Sequence, residues 1–289
     1  MPEQITLYHD TRGTSLYSHK VELALLEANA NYRSHKFNVY SKPQWYVTKV
    51  NPITGKIPAI TYGGPADADP QNPPPESLML IESQVILEFI ADLYPDSGLL
   101  PSAPTSRAKV RLFMDVVSRH MEPAAIKFFS GEESYKELLG AIELVQSLLP
   151  DVGEFAVGET YTIADATVTP FIARLELASK TDLGRFTHGM GLQLGKDLGT
   201  ARYAKFRKYM DVMLIRESTK KTFNMVRGIV EFTRVWDSNE FVGLHGGIVE
   251  DIIQEEREVV PSAAMHLERD TTFALYSGGR DEQGFGAIQ

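Results

Sequence analysis

The chain predicts an α/β domain followed by an all-helical bundle, and three observations carry that expectation. A strand-like run, a helical run and a second strand-like run succeed one another before residue 40. Two more strand-like runs and a helix complete a βαβ-ββα order by Tyr94. Beyond a proline-rich stretch at residues 95–104, apolar side chains recur only at helical spacing.

Residues 5–9 alternate apolar and polar side chains as a short strand does, and the chain then turns at 11–14 around Gly13. From Ser15 the apolar positions Tyr17, Val21, Ala24, Leu25 and Ala28 fall at helical spacing, with Asn29 and Asn31 marking the exit. Residues 32–39 read as a second strand, which implies a right-handed crossover and a parallel strand pair. After a turn at 51–56, strands are expected at 57–62 and 77–81. Residues 63–76 between them hold five prolines, which cannot continue a ladder, so a long solvated hairpin tip is expected. Ser83 suits the N-cap of a helix over 84–94, whose Val85, Ile86, Phe89, Ile90 and Leu93 line one face.

Residues 95–104 contain three prolines and a glycine, the composition of a linker. Helices are expected over 107–129, 134–149, 163–178 and 201–215. Thr162-Ile163-Ala164-Asp165 is a capping box at the start of the third, and Pro170 within it predicts a kink or a break. The glycines of 189–197 superficially suggest a phosphate loop, but their spacing is wrong and Lys196 is followed by Asp197 instead of Ser or Thr. From about residue 238 the pattern degrades, with an amphipathic helix over 248–259 and an irregular Gly-rich stretch over 277–286 as the readable features. The expected division is an α/β domain over 1–96, a linker over 97–104, a helical domain over 105–237 and an extension over 238–289.

Composition narrows the function. A chain of 289 residues suits two ordinary domains, and 43% hydrophobic with 23% charged residues is the balance of a folded globular protein. A formal net charge of −9 argues against a nucleic-acid partner, because phosphate backbones are attracted by the opposite field. No apolar run approaches the roughly 18 residues of a membrane span, and residues 1–4 lack a secretory pattern, so the expected location is the cytoplasm. There is no cysteine, which removes disulfides, thiolate metal sites and cysteine nucleophiles together. Thiol chemistry here needs a borrowed thiol. The seven histidines are scattered singly, none at the i, i+4 spacing of a helical zinc site, so no metal is expected.

Four motifs in the first domain cohere. They are Thr14-Ser15-Leu16-Tyr17-Ser18-His19-Lys20 after the first strand, Lys42-Pro43-Gln44-Trp45 after the second, Asn51-Pro52 with Lys56-Ile57-Pro58-Ala59-Ile60, and Glu82-Ser83 opening the next helix. Together with Asp92-Leu93-Tyr94-Pro95-Asp96 and Gly98-Leu99-Leu100-Pro101, the chain resembles omega-class glutathione transferases of the fungal branch over roughly residues 4–235. The resemblance implies a thioredoxin-like glutathione-binding domain, a helical domain that holds a second molecule between the two, and a homodimer. It implies a cis Pro58 that turns the Ile57 backbone toward the cysteinyl part of glutathione. It also implies the helix start at Glu82 and Ser83 for the γ-glutamyl end, and Lys42 for the glycyl carboxylate, with Lys56 beside Ile57 in the same set.

Ser15 departs from that family, which usually has cysteine there and runs thiol transfer through a mixed disulfide; Leu16 departs too, where proline is usual. Thiol-transferase activity is therefore not expected. Other transferase classes use serine at the start of this helix to donate a hydrogen bond to the glutathione sulfur, and a helix N-terminus with one donor lowers a thiol pKa. Ser15 is thus the candidate catalytic residue, with Tyr17 a second donor or a stacking surface. The plainer roles stay open beside these: Ser15 as an ordinary N-cap, Lys42 as a solvated lysine, Glu82 as a first-turn acid, and Phe113, Phe128, Phe129 and Phe171 as core residues. The expected function is a serine-type transferase that conjugates glutathione to, or cleaves with it, a hydrophobic aromatic electrophile. The alternatives are a non-catalytic ligandin-type carrier of aromatic metabolites, and a regulatory module that binds no glutathione.

Overall fold

A computed structural model describes residues 3–223, all within one compact unit. The expected features at 238–289, including the helix over 248–259, lie outside the described residues.

Four strands form one mixed sheet in the order β2-β1-β3-β4. These are β1 (Ile5–Asp10), β2 (Tyr32–Phe37), β3 (Ala59–Tyr62) and β4 (Leu78–Ile81). β1 pairs parallel to β2 across the helix α1 (Leu16–Glu27), and antiparallel to β3, which pairs antiparallel to β4. β1 is buried along its whole length because both faces of the sheet are covered. On one face Ile5, Leu7 and Ile60 join Val21, Leu25 and the apolar side of α2 (Ser83–Leu93) in the main core. On the other, Tyr8, Phe37, Tyr46, Val50 and Ala59 make a smaller aromatic core with Trp45. A wide π-type turn at Tyr46–Val50 supplies two of those residues. The proline-rich stretch is solvated yet pinned to this face. Tyr8 Oη donates to the Pro70 carbonyl at 2.8 Å, and Arg33 donates to the Ala66 and Ala68 carbonyls.

The helical part comprises α3 (Pro104–Val116), α4 (Glu122–Ser130), α5 (Tyr135–Leu148), α6 (Ile163–Thr181), α7 (Met190–Leu198), α8 (Ala204–Ile215) and α9 (Glu217–Thr222). Its core is continuous with the main core under the sheet through Val110, Phe113, Phe171 and Phe206. Phe128 belongs to the same core and Phe129 packs against it half-buried. Among the described residues no helix is long and apolar enough to cross a membrane.

Several expectations need correction. The single helix over 107–129 is interrupted at Val117–Met121 by a π-type turn, closed by the Glu122 N–H donating to the Val117 carbonyl. Pro123 follows at once; it has no N–H to continue the i−4 ladder, and the wider turn absorbs the mismatch. Pro170 does not break α6, which runs through it to Thr181. Ser83 is not the N-cap of α2: Glu82 takes that place in a left-handed-region backbone, φ +67°, and Ser83 is the first helical residue. The glycine-rich 189–197 stretch is helical. A Cβ on Gly191 would meet the Ala178 carbonyl at 2.4 Å, so the glycines let α7 lie against α6, and Asp182 caps it by accepting from Gly191 N at 2.7 Å. The capping box is present: Thr162 and Asp165 cap α6 reciprocally, and the fully buried Asp165 also accepts from Ala156 N and Tyr209 Oη, each at 2.8 Å.

Candidate active site

The sheet register gathers the motifs at one end. Tyr8, Ala59 and Ile81 stand in line across β1, β3 and β4, so the next positions outward are His9, Pro58 and Glu82. β2 runs parallel to β1, so the chain carrying Lys42 also leaves from this end. The Ile57–Pro58 peptide is cis and Pro58 is buried.

The loop between β1 and α1 is built by a buried carboxylate. Asp10 Oδ1 accepts from Arg12 N at 3.0 Å, and Oδ2 accepts from Thr14 N at 3.1 Å and Thr14 Oγ1 at 2.6 Å. This Asx-type arrangement turns the chain so that Ser15 enters α1 in an extended conformation, φ −69° and ψ 114°. Ser15 Oγ accepts from Ser18 N at 3.1 Å, so the plain N-cap role is real. It does not exhaust the hydroxyl: accepting uses a lone pair and leaves the O–H proton free to donate. The first turn of α1 carries no acidic side chain, so its positive end is not locally neutralised.

Tyr17 is 37% exposed, with its ring 5.1 Å from the Lys20 ammonium. Burial of the phenol, then the neighbouring Glu122 carboxylate, push its pKa up, so it stays a neutral donor at physiological pH. Lys20 is 1% exposed and donates to Glu122 Oε2 of α4 at 2.8 Å. Its ammonium also sits 5.2 Å from the Phe171 ring centroid. Burial lowers the Lys20 pKa, and Glu122 opposes that.

Lys42 and Lys56 are exposed, and neither ammonium has a partner among the described residues. The Lys56 backbone is fixed: its carbonyl accepts from Tyr46 Oη at 2.5 Å and Asn51 Nδ2 at 2.8 Å, just ahead of the cis bond. Ile57 is half-buried and Ser83 is buried at the head of α2. The positive φ of Glu82 is uncommon for a residue with a side chain, and such backbone strain concentrates at functional sites. Ser15, Ile57, Pro58, Glu82 and Ser83 thus share one end of the sheet, with Lys42 and Lys56 exposed on the segment joining β2 to β3.

Sequence reasoning missed the helical-domain side of this place. Arg174 of α6 reaches the carbonyls of Gly13 and Thr14, and Glu122 reaches Lys20. A lone arginine inside the apolar run of α6 was the available signal.

Residues 14–93 match the family described as glutathione S-transferase, N-terminal domain. Glutathione transferase Omega 1C from Trametes versicolor is 39% identical; the match covers 81% of this chain and 96% of that one, with a TM-score of 0.75. The chain belongs to the glutathione transferase superfamily, in its omega-like class. Omega 2S from Trametes versicolor, solved in complex with 2,4-dihydroxybenzophenone, is 40% identical over 76% of this chain and 93% of that one, TM-score 0.70. Glutathione S-transferase DHAR2 of Arabidopsis thaliana is 27% identical over 58% of this chain and 70% of its own length. The expected fold, a thioredoxin-like domain followed by helices, is the one found, and glutathione is the substrate of the family. This omega-like chain has no cysteine.

Proposed function

We propose that this omega-like transferase is a serine-type enzyme that binds glutathione at the sheet end and joins its sulfur to a hydrophobic aromatic electrophile. The observation that carries the reading is Ser15 itself: its oxygen is held by Ser18 N–H at 3.1 Å while its proton remains available to the sulfur. A donated hydrogen bond and the positive end of α1 both favour thiolate over thiol, whose ordinary pKa is about 8.5. The thiol proton passes to solvent. The thiolate then attacks an electron-poor carbon, a C–S bond forms, and the leaving group departs with the electron pair of the broken bond. Glutathione is held by the helix start at Glu82 and Ser83, by the Ile57 backbone beside cis Pro58, and by the Lys42 and Lys56 ammoniums. Tyr17 faces the second molecule.

A carrier reading has its own support, since a 40% identical relative was solved with an aromatic ketone. It predicts ligand binding with negligible turnover. Calorimetry with reduced glutathione, followed by turnover of chlorodinitrobenzene, separates the two. Ser15→Ala is expected to lower kcat about tenfold or more, as removing one hydrogen bond to a developing charge does. Full activity in that variant would exclude serine catalysis. A homodimer is the assembly that fits the exposed apolar side chains Leu78, Met79 and Val85 on neighbouring β4 and α2, and the cytoplasm is the proposed location.

A further inference from the structure

Arg174 of α6 spends its guanidinium on the chain just ahead of Ser15. Nη2 donates to the Gly13 carbonyl at 3.2 Å and lies 3.5 Å from the Thr14 carbonyl. Nη1 donates to the Pro170 carbonyl at 3.2 Å and to His19 Nδ1 at 2.9 Å, and the Phe223 ring covers the group with its centroid 5.0 Å from Cζ. From the other side Asp10 holds Thr14 through its N–H and its hydroxyl. The two residues before Ser15 are therefore clamped between a carboxylate of the sheet and a guanidinium of the bundle. A solvated surface arginine has no need of four polar contacts and a covering ring, and a core position has no need of a charge.

We propose that Arg174 is a positioning residue for Ser15, fixing the loop that aims its hydroxyl and lending the site a permanent positive charge; the inference rests on the glutathione reading above. The charge is real at neutral pH. Burial lowers the guanidinium pKa only to about 10, and Glu22 of α1 supports it. His19, the other titratable group of α1 facing it, is neutral because burial and Arg174 hold its pKa well below the usual 6.5. On the far side of the loop the Asp10 carboxylate is engaged by three donors, and on the far side of His19 the uncharged Thr222 of α9 is bonded to Nε2 at 2.7 Å.

The test uses the full chain carrying Arg174→Gln or Arg174→Lys, the ultraviolet absorbance of bound glutathione thiolate against pH, and kcat and KM with chlorodinitrobenzene. Arg174→Gln removes the charge, so the apparent pKa of the bound thiol rises by about one unit and kcat at neutral pH falls about tenfold, with KM for glutathione nearly unchanged. Arg174→Lys keeps the charge but cannot bridge the two carbonyls and His19 together, so it restores the pH profile while kcat stays about fivefold low. A folded Arg174→Gln variant with the wild-type profile overturns the inference while leaving the glutathione reading intact, as does a loss confined to KM. Should Arg174→Gln not fold, Arg174→Lys decides: wild-type kcat and profile together overturn it. Wild-type protein that binds no glutathione removes both.

Discussion

Lowering the pH should destabilise this fold through His19 in particular, and the size of the effect follows from its contacts. Arg174 can only donate, so His19 Nδ1, 2.9 Å from Nη1, must be the acceptor. Nε2 then carries the proton and donates to Thr222 Oγ1 at 2.7 Å, whose own hydroxyl donates to the Ser218 carbonyl at 2.8 Å. Protonating Nδ1 would set two donors and two positive charges face to face in a site that is 2% exposed. The folded-state pKa is accordingly depressed, by burial first and Arg174 second, well below 6.5. The unfolded chain takes up a proton near pH 6.5 and the folded chain does not, so the stabilisation is complete above that value and is lost as pH falls. Between about pH 7.5 and about pH 5.5 the loss amounts to about 1.4 kcal/mol for this one residue. The assay is urea unfolding across that range for the wild type and for His19→Gln, whose amide can accept from Arg174 and donate to Thr222 without titrating. His9 and His35 are common to both proteins and cancel in the difference. Stability curves that run parallel, or a wild type that gains stability relative to the variant as pH falls, would refute the reasoning.

Two other substitutions test neighbouring parts of the site. Lys42→Ala should weaken glutathione binding by about 1 kcal/mol, roughly fivefold in Kd, the magnitude suited to an exposed charge pairing; unchanged affinity by calorimetry would take Lys42 out of the site. Glu122→Gln should cost about 3 kcal/mol of unfolding free energy, because it leaves the 1%-exposed Lys20 ammonium without its carboxylate. Adding Lys20→Met should recover much of that loss, and a single-variant cost below about 1 kcal/mol would mean that water or another group already serves Lys20.

What could be read from the sequence is what neighbours along the chain decide. The βαβ-ββα order follows from runs of a few residues each, and the capping box at Thr162 spans only four positions. The turn before Ser15 is likewise local, whereas the cis state of Pro58 follows from the family resemblance and not from its neighbours. The interruption at Val117–Met121 was legible in principle, since Pro123 stands immediately beyond it, but the apolar spacing over 107–129 carries straight through a widened turn and hides it. α7 was hidden for the opposite reason. Its glycines look like loop residues until the partner helix is known, and only contact distances to Ala178 and Ser179 explain why side chains are missing there. The electrostatics around Ser15 belong to neither kind. Lys20 finds Glu122 at a separation of 102 residues, and Arg174 finds Gly13 at 161. No spacing rule reaches that far, and each of these charges read alone is an ordinary helical residue. Their meaning comes from the helical part closing on the sheet end. A substitution in α4 or α6 should therefore alter chemistry whose sequence motifs all lie in the first 96 residues.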